Sequence, residues 1–239
     1  DLYDNAQPGP VAHMIDITEN GRWLMQREPS GELATKPPLY PWLGALAVKA
    51  TGRTQEWVFK LPVILSFLLA TWLVYDLGRR SLGRDGGLMA AALWVANYHC
   101  FKLMYTARTD MMVGALIIAG LWAVQVQRHL WTTQKARSPL GLIAIFWLSV
   151  GLGLLTKGPP AAIPIAWLVL AIYFDSAWKK SRPGWQLAGL LLAVGILLAW
   201  LVPAVLTHPQ WLTNINREVI ERTTGSGSGA HRHTPMLAI

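Results

Sequence analysis

Arg79-Arg80-Ser81-Leu82-Gly83-Arg84 divides an apolar run over residues 59–77 from another over 88–103. Three arginines in six residues have no place in hydrocarbon, whereas the runs beside them are too apolar to cover a soluble domain. The pattern repeats outward. Apolar runs follow at 111–126, 140–155, 161–174 and 187–206, and basic clusters fill 128–137 and 179–182. Basic clusters therefore occupy every second connection, which predicts an all-α, polytopic transmembrane bundle of about six helices with those clusters on the cytoplasmic side. Several runs are shorter than the ~20 residues that cross hydrocarbon untilted, so flanking Trp and Tyr must complete them.

This topology divides the chain into three parts. Residues 1–57 form an extracytoplasmic loop with juxtamembrane helices, 58–206 the transmembrane region, and 207–239 a second outer loop ending in Met236-Leu237-Ala238-Ile239, the start of a further apolar run. The ends read as those of a piece of a longer protein. Within the first loop, 11–20 and 39–50 carry weak amphipathic patterns suited to helices lying in the interface. A third such segment spans 214–222, followed by the flexible composition Gly225-Ser226-Gly227-Ser228-Gly229.

Composition agrees with a membrane protein: 53% of residues are hydrophobic, thirteen are Trp and only 14% are charged. The net charge of +8 would suit nucleic acid. However, the cations sit in short clusters between apolar segments, so the bilayer is the expected partner and nucleic acid is not. Cys100 is the one cysteine, which excludes an intrachain disulfide and a Cys cluster for zinc or iron–sulfur chemistry. No phosphate loop, dinucleotide fingerprint or His-Glu-x-x-His helix is present.

Three polar signatures stand on the outer side: Ala34-Thr35-Lys36-Pro37-Pro38-Leu39-Tyr40, Arg108-Thr109-Asp110 and Thr156-Lys157-Gly158-Pro159-Pro160. Lys36 and Lys157 are compact cations fit to hold a lipid phosphate, each at a proline-made break in helical hydrogen bonding. A Pro pair at a helix start would also leave amide protons facing an anion. Asp110, or Asp4 in the first loop, would accept a proton from an acceptor hydroxyl or amine. Blander readings stand beside these. Lys157 snorkels to the interface, Asp110 pairs with Arg108 or caps the next helix, and Asp4 is a solvated loop residue.

In chain order, Gly21-Arg22-Trp23, Lys36-Pro37-Pro38-Leu39-Tyr40 with Trp42, Lys60-Leu61-Pro62, Arg108-Thr109-Asp110-Met111 and Thr156-Lys157-Gly158-Pro159 resemble membrane glycosyltransferases of the aminoarabinose-transferase and protein-mannosyltransferase type. The resemblance implies the GT-C fold, an inner-membrane location and a catalytic face on the extracytoplasmic side. It also implies a polyprenyl-phosphate sugar as donor and lipid A, protein or glycan as acceptor. Family members carry a helix before this loop and more chain after it. The resemblance matches Asp110 to the family's second acidic residue, Lys36 to a lysine near the donor phosphate and Lys157 to a Lys-Gly-Pro motif at an outer helix junction. Asp110 is thus the candidate catalytic residue, and Lys36, Lys157 and Arg108 the candidate donor-phosphate ligands.

The family's first catalytic acid is harder to match. Its Asp-Glu-x-Arg pattern falls at Ala6-Gln7-Pro8-Gly9, so Asp4, two residues earlier, is the candidate. Thr35 stands where some relatives have a Glu before the lysine, and His231 and His233 resemble a later His-bearing loop. No metal ligand is assigned, and a divalent cofactor is left open. Two other classes remain: a transporter or flippase, for which Asn97 and His99 are the polar candidates within spans, and a catalytically inactive lipid-binding relative, suggested by Ala6 and Gly9.

Overall fold

The computed structural model describes residues 8–28, 30–134, 140–176, 178 and 183–213. Asp4, Ala6, the segment at 214–222, His231 and His233 lie outside them. Apart from one isolated bridge between Arg27 and Leu33, the regular structure described is helical. The helices are α1 Pro8–Asn20, α2 Leu39–Thr51, α3 Glu56–Ala96, α4 Tyr98–Tyr105, α5 Thr109–His129, α6 Leu140–Lys157, α7 Ile163–Phe174 and α8 Pro183–Thr207. Among the described residues, four stretches are long and apolar enough to cross a membrane: Glu56–Ala96, Thr109–Thr133, Leu140–Lys157 and Gly184–Thr207.

The opening arginine cluster is a reversal of direction. Gly83 adopts φ 77° and ψ −176°, a backbone that favours glycine, and it divides the 41 residues of α3 into two limbs. The rings of Phe67 and Trp94 lie 6.5 Å apart, whereas 27 residues of continuous helix would hold them about 40 Å apart. The limbs pack closely at the turn, where a Cβ on Gly78 would stand 2.9 Å from the Gly86 carbonyl oxygen. Asp76, 3% exposed, accepts hydrogen bonds from Arg79 at 2.7 Å, Arg80 at 2.5 Å and the Trp122 indole at 2.8 Å. The carboxylate thus ties the turn to α5 and meets two of the arginines' charges.

Two expected runs look different in three dimensions. The run over 88–103 breaks at Asn97, whose side chain accepts from the backbone N–H groups of His99 and Cys100 and starts α4 as an N-cap. The run over 161–174 is a short apolar helix, because Pro159 and Pro160 begin it as a 3-10 turn, Pro159–Ala162, before α7. Both outer-loop helices form, as α1 and α2. The apolar residues of α1, Val11, Met14 and Ile17, are buried, and Met14 packs in one cluster with Tyr40, Val58 and Met111. Thus α1 sits on protein.

In the membrane region α5 packs against α3 and α6, and α6 against α8. Ala123, Phe146, Trp147, Val150 and Ala193 fill the space between them. The helices alternate in direction. The first residues of α5 and the last of α6 therefore stand at the same end of the bundle, opposite the Gly83 turn.

Candidate active site

At that end a loop over residues 21–38 lies across the bundle, and its backbone is held by side chains from distant elements. The indoles of Trp42 on α2, Trp200 on α8 and Trp211 beyond it donate to the carbonyls of Trp23, Leu24 and Ala34 at 2.6, 2.9 and 2.9 Å. From inside the loop, Gln26, 2% exposed, donates to the carbonyls of Arg22 and Trp23. Asp16 at the end of α1 accepts from Asn20, from Arg22 and from the Arg27 backbone N–H. The Gly21-Arg22-Trp23 motif is therefore a fastening. Its Arg reaches back to α1, and its Trp offers a carbonyl to α2.

Trp200→Phe keeps the ring's bulk but leaves the Leu24 carbonyl without its donor. That substitution should cost about 1–3 kcal/mol of local stability. Amide exchange of residues 21–34 should quicken while exchange within α5 stays unchanged; equal acceleration in both would show that the indole does not act on the loop.

The loop carries its own charged pair. His13 Nε2 lies 3.0 Å from Glu28 Oε1, and this bond, outweighing the opposing effect of burial, holds the Glu28 carboxyl below its ordinary 4.5, with a smaller contribution from the nearby Lys36 charge. Lys36 itself is exposed, three residues before α2. Leu33 and Leu155 share one apolar cluster with Met25, Trp200 and Trp211, which seats the loop against the last turn of α6.

Lys157 closes that turn. Gly158 follows at φ 78° and ψ −128°, a backbone that favours glycine, and donates its N–H to the Leu154 carbonyl where the helix ends. Asp110 stands in the first turn of α5. Each charge is favoured by its own helix dipole, the carboxylate at an N-terminus and the ammonium at a C-terminus. Because the helices run antiparallel, residues 47 positions apart meet: Lys157 Nζ donates to Asp110 Oδ1, and Arg108 Nε stands 4.0 Å from Oδ2. Asp110 and Lys157 remain about one-third exposed, so the cluster is open to a ligand.

The structure thus unites Asp110, Lys157 and Arg108, and it places Lys36 on the overlying loop, near enough to Glu28 for its charge to act on that carboxyl. Lys60, 5% exposed, pairs with Glu56 and lies over the Tyr105 ring at 4.0 Å from its centroid. It braces the first limb of α3 against the end of α4. An apolar groove of about 470 Å³ opens between α2, α3, α5 and α6, lined by Leu39, Leu43, Leu65, Met112, Leu116 and Leu152 among others, and the cluster's charged residues are not part of its lining. Among the described residues no three His, Cys, Asp or Glu side chains converge to hold a metal ion.

Residues 35–202, most of the helical region, match the model of the dolichyl-phosphate-mannose-protein mannosyltransferase family. The chain belongs to that family. The crystal structure of ArnT from Cupriavidus metallidurans in the apo state superposes on this mannosyltransferase-family chain with a TM-score of 0.73 and 19% identity. The match covers 87% of this chain and 38% of ArnT. The structure of the same ArnT bound to undecaprenyl phosphate gives 0.71 and 20%, over 85% and 37% of the two chains. This member of the family therefore has the GT-C fold of ArnT and spans less than two-fifths of ArnT's length. A search of curated protein sequences finds no match.

Proposed function

We propose that the chain is the catalytic part of an inner-membrane glycosyltransferase. It moves a sugar from a polyprenyl-phosphate donor to an acceptor on the extracytoplasmic side, either lipid A, a protein or another glycan. One observation carries the reading: a carboxylate and two cations converge at the end of the bundle that the loop covers, and the same helices, α5 and α6, also wall an apolar groove. A lipid-linked sugar phosphate needs that combination, a dry channel for the tail and cations for the phosphate.

The chemistry follows from the placement. The acceptor oxygen or nitrogen forms a bond to the anomeric carbon as the bond from that carbon to the phosphate oxygen breaks. Its proton passes to Asp110, and the electron pair leaves with the polyprenyl phosphate. Lys157 and Arg108 hold the charge that grows on the departing phosphate, and Lys36 reaches it from the loop. Asp4 is the sequence's candidate for the family's first catalytic acid, with Asp110 matched to the second. ArnT was crystallised with undecaprenyl phosphate, which supports a donor lipid of that class.

Lys36 offers a direct test. Lys36→Ala in the full-length protein should raise the KM for a polyprenyl-phosphate sugar about ten- to a hundredfold, the size of one charge-assisted hydrogen bond to phosphate. Lys36→Arg should recover part of the loss, since the charge returns on a broader head. A transfer assay with labelled donor reads both. Unchanged KM in the Ala variant removes Lys36 from the site. A purified wild-type protein that moves lipid or solute across vesicles without transferring sugar replaces the enzyme reading with transport, and one that binds donor without turnover replaces it with an inactive relative.

A further inference from the structure

A second pocket, of about 400 Å³, lies at the other end of the bundle, between α5 and α7. Its walls are Val124, Trp167, Leu170, Ala171, Phe174 and Trp178, with Arg128 and Asp175 as its charged members. The Arg128 guanidinium pairs with Asp175 and is still half exposed. Arg128 follows Val124 by one helical turn, so both face the same side of α5. We propose that this pocket binds one anionic glycerophospholipid of the adjacent leaflet, its phosphate on Arg128 and an acyl chain against the aromatic walls.

Depth and charge both favour that occupant. Asp110 and Arg128 are 18 residues apart on α5, or about 27 Å along the axis. That is close to the thickness of the hydrocarbon layer, so with Asp110 at one surface the guanidinium stands level with the phosphates of the opposite one. A planar Arg fork presents five N–H donors and matches phosphate geometry. In the sequence, Trp178 is followed at once by Lys179-Lys180-Ser181-Arg182, and Lys135 and Arg137 come soon after Arg128, so the segments adjoining the pocket residues are basic in composition. Basic pockets between helices at such a surface suit anionic headgroups. A zwitterionic lipid would satisfy the walls but not the basic composition of those adjoining segments. The proposal does not depend on sugar transfer.

Native mass spectrometry of the full-length protein, titrated with phosphatidylglycerol or phosphatidylcholine, tests it. The wild type should retain one phosphatidylglycerol about fivefold more strongly than phosphatidylcholine, the worth of one favourable surface cation. Arg128→Gln should erase that preference. Asp175→Asn should increase it by withdrawing the competing carboxylate, an effect opposite in sign that misfolding does not mimic. Ala171→Phe, which fills the pocket, should abolish retention of both lipids. Equal retention of the two lipids by the wild type overturns the proposal, as does a shift in the same direction, or none, in the Arg128 and Asp175 variants. Persistent binding in the Ala171 variant overturns it as well.

Discussion

Asp110→Asn should lower the kcat for sugar transfer about a thousandfold, the usual scale for losing a positioned general base, with the donor's KM changing far less. Asn keeps the size of the side chain and a polar group in the first turn of α5, but it does not take up the acceptor's proton. The substitution also dissolves the ion pair with Lys157. Both partners are about one-third exposed, so that loss should cost only about 0–1 kcal/mol of stability. Catalysis and folding therefore separate cleanly. The assay is single-turnover transfer by the full-length variant beside its thermal melt. A rate within a few-fold of the wild type, with the melt unmoved, would refute the role given to Asp110.

Lys157→Ala should reduce kcat/KM by about a hundredfold or more, the loss expected when one preorganised partner of a developing oxyanion is removed. Its structural cost is bounded by the same exposed pair and by the charge–dipole attraction at the end of α6, together about 1–2 kcal/mol. Donor affinity should weaken more than the melt shifts. Lys157→Arg restores charge at the cap and should recover part of the activity. If the Ala variant transfers sugar normally but melts much earlier, Lys157 is a strut between α5 and α6 and not a phosphate ligand.

Much of this arrangement was legible in the sequence because charge is costly in hydrocarbon. Arg79, Arg80 and Arg84 mark a turn, and once one turn is assigned to one surface, the alternation of helices puts Arg108, Asp110 and Lys157 at the other. The contact between Asp110 and Lys157 was not legible, since topology fixes the side of the membrane but not which helix ends adjoin. Lys157 proves to close α6, and the prolines after it begin the next helical turn, Pro159–Ala162. Asn97 looked like a polar residue inside a span. It is a cap, hidden because apolar residues flank the break on both sides. Asp16 sat unnoticed among the acidic residues of the first loop, because its partners, Asn20, Arg22 and the Arg27 N–H, become evident only when the loop is folded. The indole bonds were invisible for a simpler reason: nothing local to Trp200 or Trp211 points to residues near the start of the chain.

Two of those bonds join residues 176 and 177 positions apart, Trp200 to Leu24 and Trp211 to Ala34. During synthesis the loop is made early and must wait, unfinished, while the helices behind it are inserted. Only when α8 and Trp211 arrive does it gain two of the three indole ties that hold its backbone, and with them the setting of Lys36. Biogenesis therefore orders its own events: the membrane bundle assembles first, the loop locks last, and a nascent chain halted before α8 would hold Asp110 and Lys157 in place beneath an unsecured loop.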